Sequence, residues 1–262
     1  MRAAIAIACV LAFLVALPHF AESAVVFAIM PEGLTGSALL NVFLLIFLFG
    51  YWGQCWNILG GYAGQLSLGH AAYVGVGAYT STLLYMTFGL SPWIGMIAGS
   101  ALAGLFGLVI GFLSFHYRLS GPFFALATIA FAELIRLTAL HLEFTGGSVG
   151  LLIPLTGDSF WDFQFTSKTA YYYIALAMMV AVTVLVYVLS RSRLGYYLHA
   201  VRQDEQAAAA IGIDATRTKL IACTLSAALT GAGGTFYAQY TQYIVPDDII
   251  TVALSVEIIL RT

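Results

Sequence analysis

The stretch Trp93 to Leu113, WIGMIAGSALAGLFGLVIGFL, decides the fold class: it runs 21 residues without a charge and is apolar on every side. A helix crossing a bilayer needs about 20 such residues and must satisfy its own backbone hydrogen bonds in lipid. Gly95, Gly99, Ala103, Gly107 and Gly111 recur every fourth residue. Such a stripe of small side chains lets a second helix approach closely, so this span is expected to be packed rather than lipid-bathed all round.

Outward from it, comparable runs lie near residues 3 to 20, 38 to 59, 66 to 86, 122 to 142, 170 to 189 and 220 to 240, with the start of another at 249 to 262. The chain is 61% hydrophobic and 8% charged, with a mean hydropathy of +0.94, far more apolar than a soluble core requires. The expectation is an all-α, polytopic transmembrane helical bundle of about eight spans. With ten Lys and Arg and a formal charge of -2, no basic surface suits a nucleic-acid backbone. Cys9, Cys55 and Cys223 lie in separate apolar runs without a CxxC pair and read as small core hydrophobes, with neither metal nor cofactor implied. The small residues at 21 and 23 suit a signal peptidase, but further spans follow, so an uncleaved first helix is the preferred reading.

Charge sorting sets the orientation, because short loops rich in Lys and Arg stay cytoplasmic. With the N-terminus inside, Arg2, Arg118, Arg191, Arg193, Arg202, Arg217, Lys219 and Arg261 fall on the cytoplasmic side and only Lys168 outside. Glu22, Glu32, Glu143, Asp158, Asp162, Asp247 and Asp248 fall outside, while Asp204, Glu205 and Asp214 share the inner side. Glu133, Arg136 and Glu257 lie within spans. Glu133 and Arg136, three residues apart, share a helix face and can neutralise each other.

Two segments carry polar chemistry. Gly60 to His70, GGYAGQLSLGH, is rich in glycine and polar groups at a depth where most neighbours are apolar. Such a broken helix is tolerated only where protein buries it or water reaches it. Gln54, Asn57, Gln65, Ser67 and His70 are therefore candidates for the substrate pathway, or else ties between helices. His70 has the chemistry of a proton carrier or ligand; the plainer reading, preferred here, is a hydrogen bond to a carbonyl freed by the break. No Gly-Lys-Ser/Thr follows these glycines or the cluster Gly231-Ala232-Gly233-Gly234, so no nucleotide site is visible. The absence of HExxH, GxSxG and supported carboxylate pairs leaves no catalytic residues to name and disfavours an intramembrane enzyme.

The second segment, Arg191 to Lys219, reads as helix, break, helix. Leu198 to Ile211 is rich in helix formers, Gly212 ends it in a left-handed conformation, and Asp214 or Thr216 caps the next helix. Its small residues offer a shallow surface to a partner's groove, with Arg202, Asp204 and Glu205 as a polar rim. A stand-alone secondary carrier, the alternative class of transporter, has no use for such a segment.

The run Gly60 to Tyr79, GGYAGQLSLGHAAYVGVGAY, resembles the signature of ATP-binding-cassette (ABC) importer permeases for branched-chain amino acids. Leu194 to Ala238, including VRQDEQAAAAIGIDATRTKLIACTLSAALTGAGGTFYA, resembles their coupling segment and following helix. Ser120 to Arg136 and Gly146 to Pro154 extend the likeness over most of the chain, and the wider family includes urea, short-amide and ribose-type permeases. The resemblance implies a multi-pass protein of the bacterial inner membrane, a single permease domain over residues 1 to 262. It implies a second permease subunit, two cytoplasmic ATPases that supply all ATP hydrolysis, and a soluble substrate-binding protein. Glu205, Ala208 and Gly212 match the pattern by which such permeases dock their ATPases, from which Gln206 and the longer alanine run depart. Family members continue past the position of Ser255-Val256-Glu257 into further helices, so this chain, ending at Arg261-Thr262, is expected to be truncated.

Overall fold

The computed structural model describes residues 2–21 and 36–261. The predicted positions Glu22, Glu32 and the cleavage site lie outside the described residues. The chain forms α1 (Arg2–Ala21), α2 (Gly36–Asn57) continued by a π-turn (Ile58–Tyr62), α3 (His70–Phe88), α4 (Pro92–His116) and α5 (Pro122–His141). There follow β1 (Leu151–Leu152), α6 (Lys168–Ser190), α7 (Arg193–Gln203), α8 (Glu205–Ala210), α9 (Ala215–Thr241), β2 (Tyr243–Ile244), α10 (Pro246–Ile249) and α11 (Val252–Leu260). Five of these, α2 with its π-turn, α4, α5, α6 and α9, are long and apolar enough to cross a membrane.

Three expected spans differ. The first, 3 to 20, is represented among the residues whose side chains are described only by the shorter apolar stretch Cys9–His19 of α1. The run beginning at 66 becomes helical only at His70, because Gly64 adopts a left-handed φ of 68° and Gly69 lies under the Thr128 carbonyl, leaving 63 to 69 non-helical. Thirteen of the nineteen residues of α3 are buried, so protein rather than lipid surrounds it and it need not be strongly apolar. The run 249 to 262 is not a span among the described residues: Ile250 leaves helical geometry and α11 is nine residues long. At 1.5 Å per residue that is under half a bilayer.

The centre is the triple contact of α3, α4 and α9, and the glycine stripe of α4 creates it. A Cβ added at Gly99 would lie 2.8 Å from the Gly77 carbonyl oxygen, and one at Gly107 would overlap the Ala227 methyl. On the third side, Gly77 lies against the Gly231 carbonyl and Gly234 against that of Val74. Buried Cys223 adds a thiol hydrogen bond to the Gly107 carbonyl, 3.3 Å. Cys55 is buried too, whereas Cys9 is exposed on the outer surface of α1, so only two of the three cysteines are core residues.

The helix ends sort by charge. At one end, which we call acidic, Ser91 Oγ donates to the Trp161 carbonyl (2.5 Å), Trp93 Nε1 donates to the Phe160 carbonyl (2.8 Å), and β1 pairs antiparallel with β2 through Leu151 and Ile244. Arg136, near this end, holds Glu133 (Nε to Oε2, 2.9 Å) and also Asp247, so the intrahelical pair expected from the sequence has a third member. The Asp158 carboxylate accepts the Thr166 amide N–H, which holds it below the usual carboxylate range. The opposite, basic end carries Arg118, Arg191, Arg193, Arg202, Arg217 and Lys219. Lys219 there lies over the Phe115 ring of α4.

Candidate functional site

The break between α2 and α3 is built from its glycines. A Cβ at Gly60 would strike the Trp56 indole, and one at Gly61 would meet the Asn57 side-chain oxygen and force that amide to turn away. Trp56 Nε1 donates to the Ser67 carbonyl (2.9 Å) and the Leu68 amide donates to Thr128 Oγ1 (3.0 Å), tying the non-helical backbone to α2 and α5. These side-chain partners satisfy backbone groups that the missing helical turns would otherwise have paired.

His70 begins α3 and is fully buried. Its Nδ1 is 3.1 Å from Ser67 Oγ and its Nε2 is 2.8 Å from Ser226 Oγ, which donates its proton to the Cys55 carbonyl (2.7 Å). A hydroxyl has one proton, so Ser226 accepts from Nε2–H and Nδ1 accepts from Ser67. The imidazole thus bonds two hydroxyls, not the freed carbonyl expected from the sequence. Ser67 and His70 are brought together; Gln54 and Asn57 are half-buried on α2, and Gln65 is half-buried with its Nε2 3.4 Å from the Ala63 carbonyl. A mostly apolar cleft of about 840 Å³ between α1, α2 and α6, lined by Leu14, Val42, Phe47 and Met179, touches none of these five; Arg261, expected at the cytoplasmic side, instead lines this cleft with its guanidinium 3.9 Å from the Phe49 ring centre. Sequence reasoning missed Gln239 of α9, which is fully buried with neither amide atom partnered among the described residues. Its signal was an amide within the apolar run 220 to 240.

At the basic end, α7 to α9 form a helical bracket. The break falls at Asp204 rather than leaving Leu198 to Ile211 continuous, because the Asp204 carboxylate accepts the amides of Gln206 (2.8 Å) and Ala207 (3.0 Å) as an N-cap. Ala208 is only 3% exposed and packs with Val201 and Ala215, while Ala207, Ala209, Ala210 and Ile211 face outward, Ile211 76% exposed. Gly212 takes φ 88°, with its amide and that of Ile213 returning to the Ala209 and Ala208 carbonyls at 3.0 Å each. Asp214 caps α9 by accepting the Arg217 amide at 2.9 Å. Lys219 Nζ lies 2.9 Å from each carboxylate oxygen of Glu205, binding the first turn of α8 to the first turns of α9.

Bracket and break touch. Arg202 of α7 donates to the Gly61 carbonyl and lays its stem over Gly64, and the His199 ring meets Tyr62 edge to face at 5.3 Å. The sequence reading placed Arg202 only on a polar rim; nothing in its local pattern points to a carbonyl 141 residues away.

A helical bundle with five helices able to cross a membrane, a broken helix and a helical bracket at its basic end has the build of a multi-pass membrane protein. The chain belongs to the family described as the permease component of branched-chain amino acid transport systems, whose profile matches residues 38–261. It is 30% identical over 214 residues to the high-affinity branched-chain amino acid transport system permease protein LivM of Salmonella typhimurium, covering 73% of this chain and 50% of that protein. Its likeness to LivM of Escherichia coli is 31% over the same length and coverage. A nucleoside ABC transporter permease protein, NupC of Lactococcus lactis subsp. cremoris, is 25% identical over 194 residues, 67% of this chain and 59% of that one. The chain spans about half the length of the LivM relatives it matches. No solved structure matches it.

Proposed function

We propose that the chain is a permease subunit of an ATP-driven importer of branched-chain amino acids in the bacterial inner membrane, with its basic end and N-terminus cytoplasmic. The observation that carries this is the family match across residues 38–261. It works with a second permease subunit, two cytoplasmic ATPases that hydrolyse the ATP, and a soluble binding protein at the acidic end. The charge asymmetry between the two ends supports this orientation.

Residues 191 to 219 form the coupling segment. The bracket geometry divides the work within it: Ala207, Ala209, Ala210 and Ile211 offer the small, exposed face for an ATPase groove. Glu205, Ala208 and Gly212 hold that face in shape from behind, through the Lys219 ion pair, the contact with Val201 and Ala215, and the left-handed turn. Gln54, Asn57, Gln65, Ser67 and His70 flank the pathway at the broken helix.

Purification in mild detergent followed by reconstitution tests the reading. ATPase subunits co-purify, and proteoliposomes accumulate leucine only with ATP inside and binding protein outside. Uptake driven by a proton or sodium gradient without an ATPase would overturn it in favour of a lone carrier. Because one relative is named for nucleosides, uridine is the competing substrate in the same assay; uptake of uridine and not leucine would retain the importer and replace its cargo.

A further inference from the structure

We propose that Arg202 is the positioning residue through which movement of the α7–α8 bracket reaches the broken segment between α2 and α3. This rests on the permease reading above.

The contact has the form that transmission requires. One end is anchored in the bracket: Leu198 and Val201 of α7 are buried, and Arg202 lies three residues before Glu205, whose carboxylate is held by Lys219. The other end is anchored in the break. The Arg202 guanidinium donates to the Gly61 carbonyl inside the π-turn, where widened turns displace backbone carbonyls from ordinary helical pairing. Its stem fills the space over Gly64, where a Cβ would come within 2.9 Å of Cγ, so the side chain is held at both its middle and its tip.

Three residues beyond Gly64 stands Ser67, which holds the His70 ring and lends its carbonyl to Trp56. A displacement of the exposed alanine face therefore has a direct route through Arg202 into the backbone that carries Gln65, Ser67 and His70. Gly61 and Gly64 give this backbone two points at which it bends without side-chain resistance. Tyr62 against His199 is a second, softer contact between the same two elements.

The test uses the full chain with Cys9→Ser, reconstituted with its co-purifying ATPases and assayed with leucine. Arg202→Met keeps the ATPases bound and hydrolysing ATP, while leucine taken up per ATP falls at least tenfold. Arg202→Lys, which retains a cationic donor, recovers a substantial part of that ratio; merely filling space would not rank Lys above Met. In Arg202→Met carrying Tyr62→Cys and His199→Cys, a short thiosulfonate cross-linker restores uptake and reductant removes it again. If Arg202→Met fails to insert, Arg202→Gln takes its place in the same measurements. Uptake per ATP within twofold of the parent in the Met variant overturns the proposal and leaves the permease reading intact. So does joint loss of ATPase binding, turnover and uptake that the tether does not rescue. Absence of any ATPase with the parent protein removes the permease reading and the coupling with it.

Discussion

The Lys219 ammonium lies 2.9 Å from both carboxylate oxygens of Glu205 and 5.0 Å from the Phe115 ring centre, with its side chain 5% exposed and that of Glu205 49% exposed. The pair is lopsided: the cation is the buried partner. Removing one member of a fully buried pair costs about 3–5 kcal/mol, chiefly through the charge left behind.

Glu205→Gln is therefore expected to destabilise the bracket by roughly 2 kcal/mol, reduced from the fully buried case because Glu205 is half in water. Lys219→Met, which leaves a carboxylate free to hydrate, costs less than about 1 kcal/mol. Limited proteolysis of residues 203 to 214 in detergent checks the order, and equal sensitivity of the two variants contradicts it.

At the central contact, Gly99 faces the Gly77 backbone, and Gly107 faces the Ala227 methyl with the Cys223 carbonyl beside it. Gly99→Leu and Gly107→Leu are expected to abolish assembly, since overpacking that costs ~1–3 kcal/mol against movable side chains has here no side chain to displace at Gly77. Ala103→Gly is tolerated, at about 1 kcal/mol of helix propensity. Thermal unfolding in detergent separates them; a stable Gly99→Leu protein would show that α3 and α4 part freely.

Gly212 has open space around it, so its constraint is conformational alone. Gly212→Val costs about 1–2 kcal/mol in the left-handed region and redirects the chain entering α9. Gly212→Asn, which tolerates that region, retains most of the function. The readouts are uptake and ATPase co-purification, and identical behaviour of Val and Asn would dismiss the turn as a determinant.

For orientation, positions 158 and 203 are exposed at opposite ends, and Gln203 avoids disturbing the Asp204 cap. With Cys9 replaced, Asp158→Cys is expected to react with impermeant maleimide on whole cells, and Gln203→Cys only after the membrane is opened. The reverse pattern inverts the topology.

How much of this was legible follows from what each feature depends on. The long spans depend on the bilayer, a constraint any single segment reveals, and the stripe from Gly95 to Gly111 announced its own packing. The break was visible in Gly60, Gly61 and Gly64, but its end at His70 depends on Thr128 of another helix. The Asp204 interruption was hidden because four consecutive alanines read as uninterrupted helix, whereas a competing carboxylate cap resets the chain. Ala208 matched the docking pattern, yet its side faces Val201 and Ala215, a choice a six-residue helix cannot make from its own periodicity. Arg202 and Gly61 meet only through tertiary folding.

The glycine contacts among α3, α4 and α9 have a mechanical corollary. Packed helices shear when interlocked side chains change rotamer, and a junction where glycines meet carbonyls and alanine methyls has few to change. These three helices form a stiff keel, so a change of shape during any working cycle falls to what is hung upon it: the π-turn, the bracket, and the descending segment from Pro246 to Leu260.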